Sequence, residues 1–193
     1  MTRTAAARLL AAWLAASILG ACSSAESRST PFCTNPDDSV FVLLAQSVPS
    51  ATQLPCVSEL PAGWRYSGSE IASDLSLFWL DSDRGGIHAV EIALRPSCDT
   101  AGAVEQRPAP DEAGTIVYVR PDTLRPAFTG KRFLVFPGGC ISFSFRFSAG
   151  ASSTLAIEAI EAVSQLPRAT VVEEVGEDPG LILCGAGAPP CAG

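Results

Sequence analysis

Between residues 140 and 148 the chain reads CISFSFRFS. Ile141, Phe143, Phe145 and Phe147 alternate there with Ser142, Ser144, Arg146 and Ser148. Successive side chains of a strand point to opposite faces, so this run demands a sheet with one face buried and one wet. Residues 131–136 (KRFLVF) precede it across Pro137, Gly138 and Gly139, which predicts a hairpin. A second hairpin is predicted from residues 75–80 (LSLFWL) and 87–94 (IHAVEIAL), joined by the turn-forming stretch DSDRGG. Residues 115–120 (TIVYVR) add a strand stopped by Pro121. Residues 101–114, with Pro108, Pro110 and several charges, are expected as a loop.

Two stretches carry helical spacing instead. Asn35 can cap a helix, Pro36 fits its first position, and Asp37 and Asp38 suit the positive end of its dipole. Val40, Leu43, Leu44, Ser47 and Val48 then recur on one face until Pro49. Residues 153–166 predict a second helix, with Leu155, Ala159, Ile160, Val163 and Leu166 on its apolar side and Pro167 as its stop. Residues 170–175 fit a short helix or a strand, and residues 181–183 are short and apolar. The expectation is one α+β domain, stapled by disulfides. It has an antiparallel sheet of five to six strands and two helices over one face of that sheet.

Arg3 and Arg8 precede an uncharged apolar run over residues 9–19, which leads into Leu19, Gly20, Ala21 and Cys22. That arrangement resembles the lipobox of bacterial lipoproteins. The resemblance implies a signal peptide over residues 1–21, cut before Cys22, and a Cys22 thiol carrying diacylglycerol and palmitate-type acyl chains. The apolar run falls short of the roughly 20 residues a membrane-spanning helix needs. Residues 22–31, including the polar stretch SSAESRST, are then anchor and flexible tether. Residues 32–193 form the domain, held by lipid at the outer face of the cell membrane.

Setting Cys22 aside leaves six cysteines: Cys33, Cys56, Cys98, Cys140, Cys184 and Cys191. An even number in an exported chain predicts disulfides, and six thiols allow 15 pairings. Cys33 and Cys56 bracket the first helix and are expected to pair. Cys98 and Cys140 would tie the two hairpins together. Cys184 and Cys191 enclose the small loop GAGAPP. There is no C-x-x-C and only one histidine, His88, so no zinc or other metal site is expected.

The chain has 13 basic and 20 acidic residues and a formal charge of −7. Losing residues 1–21 removes Arg3 and Arg8 and no acid, which leaves 11 basic against 20 acidic, or −9. Phosphate backbones need a basic face, so nucleic acid is not an expected partner. The expected partners are the membrane, through the lipid anchor, and an envelope protein or small ligand. No cofactor is expected.

Candidate chemistry is sparse. His88 is the only imidazole and must be the base of any Ser-His or Cys-His scheme. Its spacing places it on the same strand face as Val90, Ile92 and Leu94, which fits a partly buried structural histidine. No G-x-S-x-G elbow occurs, and Cys140, though it follows two glycines, is expected in a disulfide. Asp81, Asp83 and Gly85 match the start of a calcium loop, but Gly85 stands where a ligand is wanted and Glu91 falls inside a predicted strand. A hairpin turn explains the same residues. Gly185, Ala186 and Gly187 neither follow a βαβ strand nor open a helix, so they are not a phosphate loop. Trp64 and Tyr66, alternating with Arg65, are the best candidates for an exposed aromatic contact to a sugar or peptide.

The segments AQSVPSATQLPC (45–56), LPAGW (60–64), LDSDRGG (80–86), Cys98 with Asp99, and VFPGGC (135–140) resemble a group of uncharacterised actinobacterial secreted and envelope proteins. The resemblance spans most of the domain and implies an envelope location. It carries no catalytic residue to this chain. The functional expectation is therefore a non-catalytic binding or accessory protein of the cell envelope. One alternative is an envelope hydrolase using His88 or an acidic pair; another is a structural or assembly subunit of a membrane complex.

Overall fold

The computed structural model describes residues 30–35, 39–176 and 183–191. Within them lie nine strands and three α-helices. The chain begins with helix α1 (Ser39–Ser47) and strand β1 (Gln53–Val57). The meander β2 (Trp64–Ala72), β3 (Leu75–Ser82) and β4 (Gly86–Arg95) follows. Then come β5 (Val104–Gln106), β6 (Ile116–Thr123), β7 (Thr129–Phe136) and β8 (Gly139–Arg146). The chain closes with α2 (Leu155–Glu161), β9 (Val163–Pro167) and α3 (Arg168–Gly176).

Seven strands form one antiparallel sheet in the order β2-β3-β4-β8-β7-β6-β5, and β1 pairs with β9 in a separate ribbon. The fold is α+β, with more strands and one more helix than the periodicity predicts. β5 and a 3-10 turn at Pro110–Glu112 sit inside the stretch expected as a loop. The helix expected over 153–166 stops at Glu161, and Val163–Pro167 extend as β9 instead. Backbone pairing with β1, from Gln53↔Pro167 to Val57↔Val163, outweighs the helical pattern. β1 itself contains Pro55, which lacks a donor and is tolerated because the ribbon has only two strands. Residues 170–175, open between two readings, are helical within α3.

The apolar face of β8 is the centre of the core. Ile141, Phe143 and Phe145 are buried with Phe78, Leu80 and Ile92 from β3 and β4. α1 covers them with Val40, Phe41, Leu44 and Ala45. Leu43, expected on that face, is 55% exposed, because the buried stripe runs one residue to either side of it. Ser47, the polar break in the pattern, is buried and donates to the Leu44 carbonyl at 2.8 Å. The expected cap at residues 36–38 and the apolar stretch at 181–182 lie outside the described residues.

The β7–β8 hairpin turns through Pro137 and Gly138, and Gly138 has φ +77. Proline followed by a left-handed glycine is the chemistry of a type II turn. A Cβ on Gly138 would also collide with the Ser50 carbonyl. The Ser50 hydroxyl donates to the Gly138 carbonyl at 2.6 Å, and Thr52 to that of Pro137 at 2.9 Å. The hairpin tip is thereby docked on the loop after α1.

All three expected disulfides form: Cys33–Cys56, Cys98–Cys140 and Cys184–Cys191. The second has a topological role. β5 lies beyond β8, β7 and β6 from β4, so residues 96–103 must cross those strands. Cys140 alternates with Ile141 and so faces away from the core. The bond to Cys98 straps the crossing segment to that outer face, and Arg120 of β6 donates to the Ala101 carbonyl at 2.9 Å. The serine side of β8 is consequently not simply wet: Cys140 and Ser144 are buried and Ser142 is half-buried. No helix among the described residues is long and apolar enough to cross a membrane.

Candidate functional site

The sheet presents two surfaces of opposite character. The first is an apolar groove of about 280 Å³ on the helix-covered side, between β6, β7 and α2. Val119, Phe128, Phe145, Ala156, Ile157 and Ile160 line it together with Arg120, Lys131 and Arg132, and Ile157 is 57% exposed at its rim. A smaller cavity of about 110 Å³ adjoins it, and Arg132 and Ile160 line both. The Arg132 guanidinium meets Glu112 in a buried ion pair at 2.5 Å. This groove exists because α2 is only seven residues long and the sheet outruns it.

The second surface is on the outer face, at the β3–β4 end. His88 has φ +47, a left-handed backbone that non-glycine residues rarely adopt. Its N–H donates to Asp81 Oδ1 at 2.7 Å, while Arg65 donates to Asp81 Oδ2 at 2.7 Å. Burial pushes the Asp81 carboxyl up, but the His88 N–H, the Ser67 hydroxyl and Arg65 together outweigh it and hold it below the usual aspartate value. The left-handed turn, beside a register irregularity between Leu80 and Ser82, swings the imidazole onto the Trp79 ring. The rings stack at 4.8 Å and 12°. Trp79 Nε1 donates to Glu91 Oε2 at 3.3 Å.

Simple alternation places His88 with Val90, Ile92 and Leu94. Those three are buried, and His88 is exposed on the opposite face. Among the described residues no hydroxyl or thiol lies within hydrogen-bond reach of the imidazole, and Cys140 is bonded to Cys98. Asp81 points inward to His88, and Asp83 meets Arg84 at 3.4 Å. No group of three or more His, Cys, Asp or Glu residues among those described is arranged to hold a metal.

Trp64 and Tyr66, expected at the surface, face inward. Trp64 is 6% exposed, and its Nε1 donates to Glu158 Oε2 at 2.8 Å. Arg84 grips the same carboxylate with two hydrogen bonds, at 3.1 and 2.6 Å. Arg84, then Trp64, hold the Glu158 carboxyl below its usual value. Tyr66 is half-buried and packs against Phe78 at 6.2 Å between ring centres. Residue Gly68 is the reason: a register shift between Tyr66 and Gly68 turns both aromatic rings toward the core and leaves Trp79, on the next strand, as the outward one. Trp64 and Tyr66 therefore do not form the exposed aromatic contact expected of them; the outward ring pair is Trp79 with His88. The signal available for it was DSDRGG, a turn rich in residues that permit irregular pairing.

No family model matches the chain, and neither a curated protein nor a solved structure matches it.

Proposed function

We propose that the chain is a lipid-anchored extracytoplasmic protein that binds a partner or ligand at the cell envelope and acts without catalysis. One observation carries the reading. The six cysteines from Cys33 to Cys191 pair among themselves within one domain. Such pairs persist in an oxidising compartment. They leave Cys22, outside the described residues, as the one remaining cysteine, and it stands at the end of the lipobox-like stretch. Two or more acyl chains on Cys22 would hold a domain of net negative charge at a membrane that its surface charge does not favour. The resemblance to actinobacterial envelope proteins supports the same location. The binding role is supported by the exposed stack on the outer face and by the apolar groove beside α2.

The test is mass spectrometry of the N-terminal peptide of the chain purified from its membrane. The expected result is a peptide that begins at Cys22 and carries diacylglycerol, and a Cys22→Ala form that leaves the membrane fraction. An unmodified Cys22, or a chain retaining residues 1–21, overturns the reading.

A further inference from the structure

Beyond the strap at residues 96–103, one register row crosses the outer face. It runs through Trp79, Glu91, Ser144, Lys131 and Arg120 on β3, β4, β8, β7 and β6. At the usual strand spacing of about 4.8 Å, Trp79 and Lys131 stand about 14 Å apart.

Each end of this row carries a feature that the apolar core does not require. At one end His88 holds a left-handed backbone so that an exposed imidazole can lie flat on Trp79. The core gains nothing from that ring, yet the buried Asp81 carboxylate is committed to keeping it there. Strain of this kind persists where surrounding structure over-determines it, and it gathers at binding sites. At the other end Arg120 and Lys131 lie directly opposite each other across β6 and β7. Like charges in that position destabilise a sheet. Arg120 has Asp122 at 3.2 Å and the Ala101 carbonyl. Lys131, the chain's only lysine, has no carboxylate within ion-pair distance among the described residues.

We propose that this row binds an acidic oligosaccharide, with a sugar ring on the His88–Trp79 stack and a carboxylate or phosphate group held by Lys131 and Arg120. The proposal deepens the reading of an envelope-binding protein and rests on it. A flat aromatic face beside hydrogen-bonding groups suits a ring that is apolar on its face and hydroxylated at its edge. The imidazole nitrogens and the Glu91 carboxylate supply those groups. Apart from Trp79 the row is made of polar and charged residues, which suits a hydroxyl-rich ligand better than an aliphatic one. On a chain of charge −7, an anion can be held only where cations are placed together, and this row places two.

The test uses the full chain in detergent micelles, with disulfides confirmed by peptide mapping. The probes are a glucuronate-containing tetrasaccharide, the same tetrasaccharide with its carboxylates reduced to alcohols, a hexose phosphate, and inorganic phosphate. Binding is read by calorimetry and by the NMR signals of the single imidazole. An acidic sugar is expected to bind and to shift the His88 signals, with the reduced tetrasaccharide weaker by about tenfold. Tighter binding of the uronate or of the sugar phosphate identifies which anion the row prefers. Lys131→Gln is expected to bring the acidic probe down to the level of the neutral one. Trp79→Leu is expected to weaken both. Failure of both acidic sugars to bind, retention of full affinity in Lys131→Gln, or equal binding of phosphate alone would each overturn the proposal. Acylation of Cys22 is scored separately by mass. An acylated chain that binds no probe refutes the oligosaccharide and leaves the anchor standing; a bare chain that binds does the reverse.

Discussion

The two faces of the seven-stranded sheet use the same strands for opposite ends. Within β8, Phe143 is 1% exposed against the helical layer, while its neighbour Ser144 and Ser144's cross-strand partner Lys131 hold register positions of the opposite face. The helix-covered face is held by apolar burial, which is strong and indifferent to detail. The outer face buries Leu77, Ala93 and Phe133 as well, and adds a few directed bonds: Cys98–Cys140, Arg120 to Ala101, and Asp81 to His88. The difference teaches where stability and recognition reside. Side chains on the first face are spent on packing. On the second, Ala93, Phe133 and Cys140 are buried too, while His88 remains open to solvent.

Mutations that contrast the faces should separate these roles. Phe143→Ala removes a buried ring and should cost about 4 kcal/mol in denaturant unfolding. Lys131→Gln, on the adjacent strand, removes the like-charge pair with Arg120 and should raise stability by about 0.5 kcal/mol or less. Equal costs for the two would break the distinction.

Replacing Cys98 and Cys140 by Ala should cost about 3 kcal/mol, given the 42-residue separation they close. Hydrogen exchange should rise over residues 96–103 well before it rises in α1. Uniform acceleration of exchange would mean that the strap and the core are one unit.

Arg168 tests the packed side with a polar group. It is 1% exposed, donates to the carbonyls of Ala45 and Cys184, and has no carboxylate within ion-pair distance among the described residues. Burial pushes its pKa down, the sign expected for a desolvated cation. Ala45 lies in the last turn of α1, where carbonyls lack helical partners and a cation is favoured. Arg168→Ala should therefore cost about 2 kcal/mol in the same unfolding measurement. A neutral outcome would show that water replaces the guanidinium.

The smallest expected loss of stability is at Asp81. Asp81→Asn should cost about 1 kcal/mol near neutral pH. The folded carboxyl titrates below its unfolded value of 3.8, so its contribution is complete above that value. It is lost as pH falls through the lower folded value. Stability curves of the wild type and Asp81→Asn should converge as pH drops below about 4. Parallel curves would refute the charged clamp.

Much of the covered face was legible in the sequence. The alternation from Ile141 to Phe147 and the two hairpins follow from periodicity and turn chemistry, and the three cysteine pairs from the segments each was expected to clamp. What escaped depends on long-range pairing. β9 looked helical because Ile160, Val163 and Leu166 keep a helical spacing, and only β1 makes the extended form better. β1 was missed because Pro55 argues against a strand. The outer-face stack was hidden for a related reason. Strict alternation puts His88 inward and Trp64 outward, and register shifts between Tyr66 and Gly68 and between Leu80 and Ser82 interrupt that rule. A single irregular residue changes which ring meets solvent, and period alone does not locate it.

The outer face carries a preformed His88–Trp79 stack, with the His88 backbone held by Asp81. The chain has one histidine, so its imidazole protons give unambiguous NMR signals in untagged protein. In the wild type these signals should be displaced upfield by the indole ring. In Trp79→Leu they should return to the position of a free histidine, and in Asp81→Asn they should move part of the way. Wild-type signals already at the free position, or unmoved by Trp79→Leu, would contradict the stack.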